Sequence, residues 1–192
     1  MADSGGAVGA SAARLTRLSK TVAVALRHRP WAFELEVTPD GWVSVDGLLG
    51  ALREEPRWRT ITMRDLEAAV AHGPRRRYEI AGGRIRAYEG PAAPVAAPPV
   101  GEIPDLLFHG TTAQAVPAIR EEGLHPRRRK FVHLGVELGI ARVVGERRTA
   151  TAVVLKVDAK AAQAAGVAFH WASREIVLAD PIPPLFLDFG PV

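Results

Sequence analysis

The chain has 192 residues, 47% of them apolar, and a formal net charge of +4. That is material for one domain of ordinary size or two small lobes, and its longest apolar runs, only a few residues each, exclude a membrane-spanning helix as an expectation. Cysteine is absent, which excludes disulfides, thiolate metal ligands and cysteine nucleophiles.

Of the 25 basic residues, 21 are Arg. Guanidinium forks match phosphate oxygens in bidentate geometry, but joint enrichment in Ala and Arg is also what a GC-rich genome produces. Residues 1–10 carry an early acid and no apolar secretory core, so they are read as a flexible tail and a cytoplasmic location is expected. Leu15, Leu18, Val22 and Leu26 recur at helical spacing and predict an amphipathic helix over Ser11 to His28, ended by Pro30. Arg27, His28 and Arg29 then sit at its C-terminus. Two readings fit them: cations complementing the helix dipole, or an Arg-His pair gripping a phosphate.

Thr38-Pro39-Asp40-Gly41 is a turn signature, followed by an extended Trp42-Val43. A second helix is predicted from about Asp46 to Arg53, and a third from the capping pattern at Thr62–Asp65 to about His72. Tyr78 to Tyr88 reads as a hairpin turning at Gly82-Gly83. Arg84 and Arg86 fall on its face opposite Ile85, either as a solvated sheet edge or as a phosphate site. Arg75-Arg76-Arg77 just ahead is read as a solvated or RNA-facing patch. Three helices and a hairpin give the order of a winged helix over residues 11–89.

Residues 90–105 form a Pro/Ala-rich linker. The second lobe, 106–192, opens with an apolar strand at Leu106–Phe108 that runs into His109-Gly110-Thr111-Thr112. Thr112 is the expected N-cap of a helix to Glu122, stopped by Gly123. A basic run follows at 127–130, then a strand at Phe131–Leu134. Two histidines, His109 and His133, thus fall at or near strand ends. Gly110 permits close ligand approach, and a His with a Thr hydroxyl can fix ribose hydroxyls. Ordinary strand-end histidines fit the spacing as well. A helix at 137–146, strands at 151–157, 167–171 and 175–178, and a short Ala-rich helix after Asp158 complete an α+β lobe of short mixed strands. There is no dinucleotide fingerprint, P-loop, nucleophile elbow or zinc-ligand spacing, so no metal is expected.

Four blocks, in order, resemble the NAD-dependent RNA 2′-phosphotransferase family, which removes a splice-junction 2′-phosphate from tRNA. Leu18-Ser19-Lys20 with Leu26-Arg27-His28-x-Pro30 is similar to the family's opening block. Asp40-Gly41-Trp42-Val43-x-Val45-Asp46-x-Leu48-Leu49 resembles its second. Arg77-Tyr78 with Ile85-Arg86-Ala87 resembles its third. His109-Gly110-Thr111, Val132-His133-Leu134 and Val144-Gly145-x-Arg147 resemble the blocks of its second lobe. The resemblance covers about residues 15–187.

It implies an N-terminal winged-helix lobe that binds RNA and a C-terminal ADP-ribosyltransferase-like lobe that binds NAD. It implies Arg27, His28, Arg86 and Arg147 on the RNA phosphate, and His109, Gly110, Thr111, His133, Leu134 and Gly135 on NAD+. The implied reaction has two steps. The RNA 2′-phosphate attacks the anomeric carbon of the NAD+ ribose and expels nicotinamide. The ribose 2″-hydroxyl then attacks phosphorus, giving 2′-hydroxyl RNA and ADP-ribose 1″,2″-cyclic phosphate. The protein is expected to act as a monomer.

The sequence departs from the pattern at Glu89-Gly90-Pro91, at Phe131, at Gly135 and over Ala172–Leu178. Two alternatives are carried forward. One is an ADP-ribosyltransferase acting on a nucleic-acid end, a protein or a small molecule. The other is a winged-helix regulator whose second lobe senses a ligand.

Overall fold

The computed structural model describes residues 5–72, 77–88, 101–127 and 129–190, with side chains from residue 12 on. Tail residues 1–4, Arg75, Arg76, Glu89, the linker over 90–100 and Arg128 lie outside the described residues. The chain divides into two compact units, residues 1–95 and 96–192, each taken by itself below. No helix among the described residues is long and apolar enough to cross a membrane.

In the first unit, helix α1 runs Gly5–Ala23, starting earlier than the expected Ser11. It does not stay α-helical to His28: Val24–His28 winds as a single π turn. The wider turn keeps Ala25 and Leu26 buried while His28 is exposed and Arg27 half-buried. Such turns inside helices often mark functional positions. Strand β1 is Val43–Ser44, and helix α2, Val45–Arg53, starts where the Ser44 hydroxyl accepts from the Gly47 amide. Helix α3, Met63–Ala71, opens with the full reciprocal capping box expected of Thr62 and Asp65. Strands β2, Tyr78–Ala81, and β3, Arg84–Ala87, form the hairpin across Gly82-Gly83, both at positive φ.

The three strands pair antiparallel in the order β1-β3-β2. The arginine-bearing β3 is therefore the central strand and not the solvated edge considered above. The core gathers Leu18, Val22, Leu48, Leu52, Ile61, Leu66 and Ile85, all essentially without exposure. Each such side chain contributes about 1.5–3 kcal/mol relative to an exposed one. The buried Tyr78 hydroxyl ties the hairpin to α1 by donating to the Ser19 carbonyl at 2.7 Å.

The second unit is built on a six-stranded sheet of order β7-β8-β5-β4-β6-β9. Its strands are β4 (Leu106–Thr112), β5 (Val132–Gly135), β6 (Ala152–Asp158), β7 (Phe169–Trp171), β8 (Ile176–Ala179) and β9 (Leu187–Asp188). Every pair recorded among the described residues is antiparallel. The expectation of mixed strands is thus corrected. A helix does follow β4, yet β5 pairs antiparallel beside it at Phe108 and Gly135.

Helix α4, Val116–Glu122, is preceded by a 3₁₀ turn at Ala113–Ala115 that the Thr112 hydroxyl caps. Pro117 sits in the first α-helical turn, where its missing N–H costs nothing. Helices α5, Leu138–Glu146, and α6, Ala159–Ala164, complete the unit. One sheet face carries Leu107, Leu134, Leu155, Val157, Val177 and Ala179 into the core with Ile119, Leu124 and Ile182. The other face receives α5.

Candidate active site

In the first unit three of the four expected phosphate residues fall on contacting elements. Arg27 and His28 lie on the π turn, and that turn packs against β3, which carries Arg86. Arg27 Nη2 donates to the Arg77 carbonyl at 3.4 Å, and the same carbonyl accepts from the Tyr88 amide at 2.7 Å. Arg27 is thereby anchored at the open end of the hairpin, two residue pairs from Arg86. Its Nε is buried without a hydrogen-bond partner. A buried unpaired donor costs about 1–3 kcal/mol, and such groups in native folds call for a specific reason, catalysis among them.

Arg86 is held on two sides. Glu79 Oε2 accepts from its Nε at 2.8 Å and lies 2.6 Å from its Nη2. Its guanidinium carbon stands 4.5 Å from the centre of the Trp42 ring, and that of Arg84 stands 5.4 Å from the same ring. Trp42 is itself buried. Nearby, the Thr38 hydroxyl holds the Asp40 carboxyl below the usual carboxylate range, helped further by Arg84 and Arg86. Glu79 and Trp42 were not among the expected site residues. Their signals were present: a two-residue Gly82-Gly83 turn fixes Glu79 opposite Arg86, and Trp42 precedes the strand that pairs with β3.

In the second unit, β4 extends through the whole His109-Gly110-Thr111-Thr112 stretch, because all seven of its residues pair with β6. His109 is therefore mid-strand, not at a strand end as the sequence suggested. Gly110 serves a helix: a Cβ there would stand 1.8 Å from the Ala141 carbonyl oxygen of α5. A Cβ at Gly145 would likewise stand 2.8 Å from the Ala152 Cβ, and 3.4 Å from Gly110 backbone. Gly135 meets the same helix, with the Ala141 nitrogen 3.0 Å from its Cβ position. Gly110 and Gly135 on the strands and Gly145 on the helix thus let α5 pack close against the sheet. Arg147 ends that helix and is half-buried, and Arg148 Nη1 reaches the Gly110 carbonyl at 3.4 Å.

Between β4 and β5 only Phe108 and Gly135 pair, whereas β5 and β8 pair at four positions. The ladder opens beyond Phe108. There the His109 ring bridges the seam, its Nδ1 lying 3.1 Å from the His133 carbonyl oxygen. A carbonyl oxygen only accepts, so Nδ1 is the donor of that bond. His133 Nδ1 lies 3.2 Å from the Phe131 carbonyl oxygen. By strand alternation His133 shares the α5 face with Gly135, and His109 shares the opposite face with Leu107. Thr111 and Leu134 are buried. The six expected NAD+ residues thus divide: His109 and His133 flank the seam, Gly110 and Gly135 seat α5, and Thr111 and Leu134 are packed inside.

A family model described as RNA 2′-phosphotransferase, Tpt1 / KptA family, matches residues 13–181. The chain belongs to this RNA 2′-phosphotransferase family. Among its relatives, a protein of Acetivibrio thermocellus named "Probable RNA 2′-phosphotransferase" is 38% identical over 175 residues, spanning 91% of this chain and 96% of the relative. Proteins with the same name from Bacillus thuringiensis and Streptomyces coelicolor are each 36% identical, over 90% and 92% of this chain and 94% and 96% of theirs. The 2′-phosphotransferase match runs across both units and includes all ten residues singled out above. Among the described residues no group of three or more His, Asp or Glu is arranged to hold a metal.

Proposed function

We propose that this protein is an NAD+-dependent RNA 2′-phosphotransferase, with a winged-helix RNA-binding first unit and an ADP-ribosyltransferase-like second unit. The observation that carries the reading is the placement of Arg27, His28 and Arg86 on two elements that pack together, the π turn and β3, in a chain belonging to this family. Guanidinium groups brought together on rigid elements suit a dianionic phosphate. Family membership favours this reading over transfer to another acceptor and over a non-enzymatic regulator.

Arg27 and Arg86 bind and orient the RNA 2′-phosphate as a nucleophile, which is a positioning task. Arg147, at the end of α5 in the second unit, is assigned to phosphate binding from the family resemblance alone. Fixed guanidinium groups also stabilise the charge that spreads over phosphoryl oxygens when the P–O2′ bond breaks. Arginine stays protonated at neutral pH, so proton transfer to the departing RNA 2′-oxygen falls to exposed His28.

The second unit is the candidate for holding NAD+, which supplies the electrophilic ribose carbon and nicotinamide as leaving group. Its fit rests on the His109 ring beside the β4–β5 pair, an imidazole anchored through Nδ1 and of a chemistry suited to a ribose hydroxyl.

Alanine at Arg27, His28, Arg86 and Arg147 tests the assignment. Each variant should lose at least about tenfold in the rate of 2′-phosphate removal, the scale of one lost transition-state contact, while folding normally. Full activity in all four would refute the site.

A further inference from the structure

We propose that Glu79 and Trp42 are positioning residues for Arg86: together they hold its guanidinium in one pose for the reacting phosphate. The inference rests on the reading above, in which Arg86 touches that phosphate.

An arginine side chain is long and rotamer-rich, and a free one on a sheet surface samples many poses. Here two contacts restrain it. Glu79 sits directly across the β2–β3 ladder from Arg86. A single carboxylate oxygen takes both Nε and Nη2, at 2.8 and 2.6 Å, which fixes the rotation of the guanidinium about its own axis. The buried Trp42 indole lies 4.5 Å from its central carbon, which fixes the plane on one side by cation–π and stacking attraction. The carboxylate uses one edge of the fork only. Nη1 and the remaining Nη2 hydrogen stay available as donors.

Stability does not explain the pair. The Glu79 and Arg86 side chains are 31% and 38% exposed, and ion pairs that open to water add little. A carboxylate beside a phosphate-binding arginine also repels an incoming dianion. Its placement there makes sense where orientation matters more than net charge, since misplacing a reacting group by about 1 Å costs on the order of a hundredfold in rate. A conflicting role is equally concrete: Glu79 could occupy Arg86 and have to be displaced by the RNA.

The test compares Glu79→Ala, Glu79→Gln and wild type in steady-state turnover of an RNA bearing one internal 2′-phosphate, with NAD+. In parallel, the Arg86 Nε–H resonance, assigned by its loss in Arg86→Lys, reports on the pose of the guanidinium. Positioning predicts that Glu79→Ala lowers kcat by about ten- to a hundredfold with KM for RNA changed less than threefold and melting unchanged. Glu79→Gln keeps an acceptor for Nε and Nη2 and should recover most of kcat. The Nε–H signal should be sharp and exchange-protected in wild type and Glu79→Gln, and broadened in Glu79→Ala. Wild-type kcat in Glu79→Ala overturns the proposal, as does a fall in KM with unchanged kcat, which would mark Glu79 as a competitor. Should wild type itself turn over no RNA, the functional reading fails. The resonance then still decides whether Glu79 fixes Arg86: an unchanged signal in Glu79→Ala overturns the inference.

Discussion

Gly110→Ala tests how the second unit is assembled. The added methyl would stand 1.8 Å from the Ala141 carbonyl oxygen and 2.8 Å from its carbon. Both atoms are helix backbone, so no side-chain rotation can relieve the overlap. Helix α5 would have to withdraw by more than an ångström from a strand whose seven residues are all laddered to β6. Overpacking a rigid interior costs about 1–3 kcal/mol, occasionally more, and this case belongs at the upper end, at about 3 kcal/mol. For a unit of this size that is a fall of roughly 12–24 °C in melting temperature. Gly139→Ala is the matched control on the same helix, because a Cβ there meets nothing within 4 Å. It should be neutral or stabilising by up to about 1 kcal/mol. Calorimetry of both variants, with amide hydrogen exchange of β4 and β6 to assign the affected unit, makes the comparison. A Gly110→Ala protein within about 0.5 kcal/mol of wild type would refute the account of how Gly110 and Gly145 seat α5.

Tyr78→Phe removes the buried donor to the Ser19 carbonyl and should destabilise the first unit by about 1–2 kcal/mol, read by chemical denaturation. Thr62→Ala removes the hydroxyl of the α3 capping box and should cost about 1 kcal/mol by the same measurement. Burial works to raise the Asp65 carboxyl, but the Thr62 amide and hydroxyl and Arg14 together outweigh it and hold the group below its ordinary value. A depressed carboxylate contributes its stability above the unfolded value of about 3.9 and loses it as pH falls through the lower folded one. The Asp65 contribution should therefore be flat above about pH 5 and disappear under more acid conditions. Asp65→Asn should flatten that limb, and a pH–stability curve unchanged by the substitution would contradict the assignment.

Local chemistry was legible in the sequence wherever neighbours in the chain decide the structure. Thr62 and Asp65 announce the start of α3 because both partners of the cap lie within one turn. Gly82-Gly83 announces the hairpin and, through its register, the pairing of Glu79 with Arg86. What the sequence concealed depends on distant partners. The polar His109-Gly110-Thr111 stretch does not look like strand interior; it becomes one because β6, some forty residues on, ladders against its full length. Gly110 was read as room for a ligand, whereas the room is taken by α5, whose Gly145 is invisible as a partner until the helix docks. The end of α1 shows the same limit. Pro30 signals a stop near His28 but not the π turn that leaves Arg27 half-buried and His28 exposed. The order of motifs singled out Arg27, His28, Arg86 and Arg147 as candidates, while the Trp42 ring beside Arg86 required the β1–β3 pairing to be seen.

The central claim is tested most directly by mixing the protein with NAD+ and a short RNA carrying one internal 2′-phosphate, and weighing every product by mass spectrometry. The account predicts three products in equal amounts: nicotinamide, RNA with a free 2′-hydroxyl, and ADP-ribose 1″,2″-cyclic phosphate. Unchanged RNA and unconsumed NAD+ would contradict it, as would phosphate removal that proceeds without NAD+.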